Sequence, residues 1–368
     1  MKIDGVPYRS LWWNKEQQAL EIIDQRWLPH EFRTRLLTEM QDFVDAIYQM
    51  QVRGAPLIGA TAAYGMALAM ANDPSDANLD AAWKALEQTR PTAINLRWAL
   101  NRCRAVLSDL TKDERAARAL GLAQEIAEED VETNRQLGQQ GLPLIEQIAA
   151  QKAPGEPVRI LTHCNAGWLA TVDWGTATSP IYQAHEAGIP LLVWVDETRP
   201  RNQGALTAWE LGKQGIAHRY ITDNAGGHLM QQGQVDLVIT GTDRTTRRGD
   251  VCNKIGTYLK ALAAWDNQIP FYVALPSSTI DWTVSDGLAA IPIETRDAEE
   301  VTLVQGASQS GTIASVRVTP AQSEAENSAF DVTPNRLITG LITERGLCDA
   351  SEQGLASLFP EFAAATAE

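Results

Sequence analysis

Five short apolar runs, VRILTH, IPLLVWV, HRYIT, VDLVIT and IPFYVAL, start near residues 158, 189, 218, 235 and 269, with helix-compatible segments between them. Runs that are apolar throughout, rather than alternating, suit strands covered on both faces, and helices crossing between them impose a parallel sheet. Ahead of them, residues 32–149 are rich in Ala, Glu and Leu with helical periodicity. The sequence therefore predicts an α/β protein: a mainly helical N-terminal domain with short β-strands, residues 1–150, followed by a Rossmann-like parallel-sheet domain, residues 151–368.

Within the first 30 residues, Leu20 to Ile23 and Trp27 to Leu28 are cut off by Gly5, Pro7 and Pro29, which predicts a few short strands or a hairpin. Phe43, Ile47 and Tyr48, then Leu57 to Met70, then Ala82 to Leu86 mark helices separated by polar breaks at 72–75 and 89–92. The segment AAQKAPGEP, residues 149–157, combines Pro, Gly and charge between two periodic regions and puts the domain boundary there. The tail EFAAATAE is expected to fray.

Composition removes several classes of function. Hydrophobic residues make up 44% and charged residues 21%, which excludes long-range disorder. Lys plus Arg number 31 against 46 Asp plus Glu, a net charge of -15, so nucleic acid binding through bulk positive charge is excluded and an anionic ligand must meet a local site. No run of about 18 uncharged apolar residues occurs, and the start MKIDGVPYRSLWWNKEQ lacks the basic-then-apolar order of a signal peptide. A soluble, cytoplasmic protein without membrane contact is expected. Cys103, Cys164, Cys252 and Cys348 form no CxxC pair, so four free thiols and no zinc site are expected.

In an open parallel sheet, ligands collect beyond the carboxyl ends of the strands. Those ends are polar here: His163, Cys164, Asn165; Asp196 to Gln203; Asp223 and Asn224; Thr242, Asp243 and Arg244; Ser277 and Ser278. Cys164 leads through Gly167 into a stretch that reads as helical, where amides and a helix dipole lower a thiol's pKa, so it is a candidate nucleophile or base. A buried structural thiol is the competing reading. His163, its neighbour on a strand end, points to the opposite face if the alternation persists. Asp243 is a candidate acid or base, with burial raising and cationic neighbours lowering its pKa; a helix N-cap or a loop salt bridge is the alternative. Asp196 and Glu197, ahead of Arg199 and Arg201, are expected to form ion pairs. For an anion, Arg53-Gly54-Ala55-Pro56 opens a helix whose free amides and dipole favour phosphate, and Arg90 and Asn253-Lys254 are further contributors. Surface charge near a turn is the plain alternative for Arg53 and Arg90. No Walker sequence, GxGxxG fingerprint or HExxH motif occurs.

The segments RGAPLIGATAAYGMAL, RPTAINL, LTHCNAGWLAT, DETRPRNQGALTAWEL, GDVCNKIGTYLKALAAW, IPIETRD and NSAFDVTP resemble, across roughly residues 10–350, the S-methyl-5-thioribose-1-phosphate isomerase family of methionine salvage. Related chains include regulatory subunits of a translation initiation factor's exchange complex and ribose-1,5-bisphosphate isomerases. The resemblance implies that Cys164 and Asp243 are the catalytic pair and that Arg53, Gly54, Ala55, Arg90, Gln203, Asn253 and Lys254 contact a small-molecule sugar phosphate. It also implies a homodimer that needs no metal or organic cofactor. Three departures bear on the sugar's 5-substituent: Trp168, where the family usually has a small residue; Ala225-Gly226, where a bulkier pair is usual; and the basic stretch RTTRRGD. A 5-deoxyribose-1-phosphate isomerase would suit a pocket narrowed by Trp168. A ribose-1,5-bisphosphate isomerase would need a second cationic cluster such as Arg244, Arg247 and Arg248. A non-catalytic initiation-factor-type protein is the remaining alternative.

Overall fold

The computed structural model describes residues 1–90 and 93–365. Pro91 and Thr92, which end the expected break at 89–92 and belong to RPTAINL, lie outside the described residues. So do the last three residues of EFAAATAE, the first part of which lies in a helix Pro360–Ala365.

The N-terminal residues form the short strands expected of them. Lys2–Ile3 pairs with Val6–Pro7, and Leu11–Asn14, Ala19–Ile23 and Thr34–Leu37 make a three-stranded antiparallel sheet. Five helices follow, Met40–Tyr48, Ala55–Asn72, Asp76–Glu87, Ile94–Ser108 and Lys112–Ala149. Their starts are written locally: Glu39 with Asp42 and Thr111 with Glu114 form capping boxes, and Ser75 accepts the Asn78 amide. The helix Ala55–Asn72 is buried on nearly every face, which its Ala- and Gly-rich sequence permits, since a Cβ at Gly59 would lie only 2.8 Å from the Asn95 carbonyl. Around it packs the first core, with Leu57, Met66, Leu86, Leu100 and Ile126 among its members.

The 38-residue helix Lys112–Ala149 is about 57 Å long at 1.5 Å per residue. Its first half belongs to that core, whereas Leu137 and Ile145 belong to a second core under the parallel sheet. Gly138 and Gly141 permit this contact, because a Cβ at either would run into Ser179 and Gln183 or into Pro180.

The main sheet has seven strands in the order Gly346–Cys348, Gly340–Thr343, Phe271–Ala274, Leu237–Thr240, Val158–Thr162, Leu191–Asp196, His218–Ile221. All pair in parallel except the edge strand Gly346–Cys348. The sheet's first strand in sequence, Val158–Thr162, lies inside it, next to the central strand Leu237–Thr240. The chain proceeds from it to one side through Leu191–Asp196 and His218–Ile221, then crosses to the other side at Leu237–Thr240. This reversal is the topological switch point of a Rossmann-like sheet, where a crevice opens beyond the strand ends. Cys164 and Asp243 follow the two strands that flank it. A smaller four-stranded sheet, Ile280–Asp281, Arg244–Thr246, Val251–Lys254 and Phe330–Thr333, closes the crevice from that side, and a hairpin Leu303–Ala307/Ile313–Arg317 stands apart.

Candidate active site

Immediately after Val158–Thr162 the chain turns sharply. His163 points away from the crevice and is buried, its Nδ1 3.0 Å from Asp196 Oδ2 and its Nε2 2.8 Å from the Ile255 carbonyl. Cys164 then takes φ = 68°, the left-handed region that costs an L-residue of order 1–3 kcal/mol. Both its backbone groups are held: its N–H donates to Thr198 Oγ1 (2.8 Å) and its carbonyl accepts from Thr207 Oγ1 (2.9 Å). The backbone is thereby fixed in the strained form, with the thiol in the crevice.

The helix expected after Gly167 is absent. A three-residue 3-10 turn, Trp168–Ala170, stands there and the next helix begins at Ser179. Gly167, Gly175 and the β-branched residues between them disfavour a longer helix. The dipole expected from that stretch is therefore missing, and burial pushes the thiol up to about 11, with Lys254 and Arg53 opposing and Asp243 reinforcing the rise.

Asp243 precedes a strand rather than a helix, which removes the N-cap reading. Its N–H donates to the Cys252 carbonyl (3.0 Å), and among the described residues its carboxyl makes no ion pair within 4 Å. Burial raises its pKa, with Lys254 and Arg90 pulling it down and Glu294 adding to the rise. Lys254, in the strand Val251–Lys254, is buried with Nζ 4.6 Å from the Phe330 ring centroid. Its pKa is lowered by burial, and Cys164 and Asp243 favour its charged form. Thiol, carboxyl and ammonium thus share one electrostatic neighbourhood in which burial disfavours every charge.

The side of the cleft where the sequence leads one to expect an anion is built on the start of the helix Ala55–Asn72. Gly54 is its N-cap at φ = 96°, with Pro56 in the first turn. The backbone passes so close to the thiol loop that a Cβ on Gly54 would lie 2.3 Å from the Ala170 carbonyl oxygen. Gly54→Ala is expected to cost about 1–3 kcal/mol from backbone strain alone and to raise KM by moving the amides at the helix start. A urea midpoint and a KM both equal to wild type would contradict this. Arg53 is drawn down to about 9 by burial and by Arg201, and stays cationic at neutral pH. Arg90 lies 3.2 Å from Glu294. Gln203, the first residue of the helix Gln203–Lys213, is buried with its Oε1 unpartnered, and Asn253 donates to Thr257 Oγ1 (3.0 Å).

All nine residues expected from the sequence, Arg53, Gly54, Ala55, Arg90, Cys164, Gln203, Asp243, Asn253 and Lys254, line one cleft. The family model described as the Initiation factor 2 subunit family matches residues 51–350, and a methylthioribose-1-phosphate isomerase from Brucella anthropi is 66% identical over 362 residues, 98% of this chain and 100% of the relative. The chain belongs to the methylthioribose-1-phosphate isomerases of the initiation factor 2 subunit family. Among solved structures, 5-methylthioribose 1-phosphate isomerase from Pyrococcus horikoshii OT3 matches with a TM-score of 0.82 and 39% identity, over 96% of each chain. The translation initiation factor eIF-2B subunit delta from A. fulgidus matches with a TM-score of 0.78 and 38% identity, over 96% of this chain and all of that one.

Several residues singled out around the family's motifs stand elsewhere. Trp168 does not line the cleft; it is buried with its ring centroid 6.1 Å from that of Trp209. Arg244 pairs with Asp281, Arg247 lies 3.6 Å from Glu352, Arg248 is exposed, and none of the three lines the cleft. Ala225-Gly226 opens a helix whose Gly226 packs near Leu161 and Lys260, away from the cleft. The ion pairs expected between Asp196 or Glu197 and the following arginines do not form: Asp196 meets His163 and Lys260 Nζ (3.1 Å), and Arg201 pairs with Glu300 (3.3 Å). His163, Asp196 and Asp223 do bring three donor atoms within 4.8 Å of one another, with the Lys260 ammonium already against Asp196. Conversely, Met50, Ile58, Ala166 and Phe330 line the cleft without having been singled out. Phe330 lies in NSAFDVTP, and that motif was the signal available; its place beside Lys254 comes only from the fold.

Proposed function

We propose that the chain converts S-methyl-5-thio-α-D-ribose 1-phosphate into S-methyl-5-thio-D-ribulose 1-phosphate, the aldose-ketose isomerisation of methionine salvage. One observation carries the reading: a half-buried thiol and a half-buried carboxyl line a single cleft with Arg53, Arg90 and Lys254, in a chain 66% identical to a methylthioribose-1-phosphate isomerase. Phosphate on the anomeric carbon removes the free aldehyde that ordinary sugar isomerases use, so the ring must be opened in the site. Asp243, whose protonated form burial favours, donates to the ring oxygen as its bond to C1 breaks. The C2 hydrogen moves to C1, the C2 hydroxyl gives up its proton and C2 becomes the ketone. Donor and acceptor of the hydrogen lie in one molecule, so the change needs no external oxidant and no cofactor.

The hydrogen moves by one of two routes. In the first, a Cys164 thiolate removes it as a proton; at a pKa of about 11 the thiolate costs roughly 5 kcal/mol at pH 7. In the second, it shifts as hydride from C2 to C1 while the thiol donates a hydrogen bond to developing charge. The protonated resting state favours the second route. Arg53, Arg90, Lys254, Gln203 and Asn253 would hold the phosphate and align C1 and C2 with the reacting groups.

Among 5-methylthio-, 5-deoxy- and 5-phospho-ribose 1-phosphates, the first is expected to give the highest kcat/KM. The 5-phospho compound should be poorest, because Arg244 and Arg247 are committed to Asp281 and Glu352. Turnover of the 5-phospho compound alone, or of none, would overturn the assignment. We further take residues 1–150 and 151–368 as two domains of a cytoplasmic homodimer. No described helix is long and apolar enough to cross a membrane.

A further inference from the structure

We infer that Glu210 is a positioning residue for the isomerisation, holding the loop Cys164–Ala170 so that the thiol and the phosphate-binding start of the helix Ala55–Asn72 keep one spacing. The inference rests on the proposed activity only for its kinetic readout. Glu210 lies in the helix Gln203–Lys213 and is fully buried outside the cleft lining, so it touches no substrate. Its Oε1 accepts from Asn165 Nδ2 (3.0 Å) and from the Leu169 N–H (2.8 Å), and its Oε2 accepts from the Tyr182 hydroxyl (3.0 Å). Three donors on two oxygens fit an acceptor-only carboxylate.

The grip reaches both sides of the site. Asn165 Nδ2 also donates to Thr207 Oγ1 (3.1 Å), whose hydroxyl donates in turn to the Cys164 carbonyl, so the carboxylate, one turn of helix and the thiol's own backbone form a connected chain. In the other direction the Leu169 N–H is one residue from Ala170, the residue on which Gly54 closes. Gly167 is fitted to the same carboxylate, since a Cβ there would lie 1.6 Å from Glu210 Oε2. A buried carboxylate is expensive to keep for packing alone; burial raises this one to about 7 against the opposing hydrogen bonds from Asn165, Leu169 and Tyr182. Tyr182 and Arg53 are the titratable groups that face it, and Arg53 feels its charge.

The test compares Glu210→Gln with Glu210→Ala by steady-state kinetics on 5-methylthioribose 1-phosphate and by iodoacetamide labelling of Cys164, mapped by mass spectrometry with Cys348 as internal reference. The Gln side chain keeps an oxygen for Asn165 and Leu169 and presents its amide to Tyr182, so it should retain most of kcat. The Ala variant should lose about 100-fold in kcat, the scale of a displacement of order 1 Å, with KM little changed and the Cys164/Cys348 labelling ratio increased. Wild-type kcat in a folded Ala variant would overturn the inference. An equal loss in both variants would do the same, because it would assign the effect to charge rather than to position. Should the Ala variant not fold, Thr207→Val, which keeps the volume and removes the hydroxyl link, should lower kcat about tenfold, the worth of one hydrogen bond; an unchanged kcat there would also overturn it. A wild-type protein without turnover would refute the proposed activity instead, leaving the labelling ratio to decide the role of Glu210.

Discussion

Asp243→Asn is expected to lower kcat by about 10²–10⁴-fold, the usual share of a general acid, while raising the melting temperature at neutral pH. The two effects share a cause. Burial raises the Asp243 pKa above its ordinary 3.8, so between that value and the folded one the native protein binds more protons than the unfolded chain. Stability therefore falls as pH rises through this window, and the penalty persists above it. Asparagine has no proton to lose and escapes the penalty. The melting-temperature difference between variant and wild type should be positive at pH 7–8 and shrink towards zero below about pH 4. Part of the gain is offset at Lys254, which loses one of the two groups favouring its charge. Because Asp243 raises the Cys164 pKa, the same variant should shift the alkylation profile of Cys164 to lower pH. In the wild-type protein, kcat/KM should decline as pH climbs through the Asp243 pKa, since the acid must be protonated to open the ring. A folded Asn variant with near-normal turnover would take Asp243 out of the acid's role.

The elements legible in the sequence are those whose burial leaves a one-dimensional signature. Continuous apolar runs marked Val158–Thr162 and Leu191–Asp196 because both faces of those strands are covered. Since the ends of parallel strands share one rim, the residues after each run were the ones to read. Gly340–Thr343 escaped because a four-residue buried strand among Gly and Thr has no period to detect. The small sheet that carries Lys254 and Phe330 escaped because its strands are two to four residues long and mixed in polarity, and one of them joins from a segment about 75 residues later. Trp168 misled through its nearness in sequence: four residues from Cys164, it is turned by the 3-10 segment onto Trp209. The arginines of RTTRRGD misled in a related way, because the acids that neutralise Arg244 and Arg247, Asp281 and Glu352, lie far along the chain. Glu210 is one acid in a run of helix formers, and only the fold brings it to the loop that it holds.

Cys164→Ala is expected to suppress turnover as severely as the loss of the acid, and the substitutions at this position separate the two routes of hydrogen transfer. Because the backbone stands at φ = 68° whichever side chain is present, alanine inherits the strain of the cysteine and glycine does not. Cys164→Gly should be inactive yet more stable than Cys164→Ala by about 1 kcal/mol, a separation of function from stability that a denaturation curve can read. Serine decides the chemistry. Its hydroxyl can donate a hydrogen bond from the same place but is far harder to ionise than a thiol. If Cys164 acts as a thiolate base, Cys164→Ser should be as dead as Cys164→Ala, and product formed by the wild-type enzyme in deuterated water should carry deuterium at C1. If the thiol only donates to developing charge while hydride shifts, Cys164→Ser should keep measurable activity and the C1 position should remain free of solvent label. The thiol's resting pKa of about 11 predicts the second pair of results. Deuterium at C1 together with an inactive serine variant would replace the hydride shift with proton transfer. Near-normal turnover by the alanine variant would remove Cys164 from the reaction.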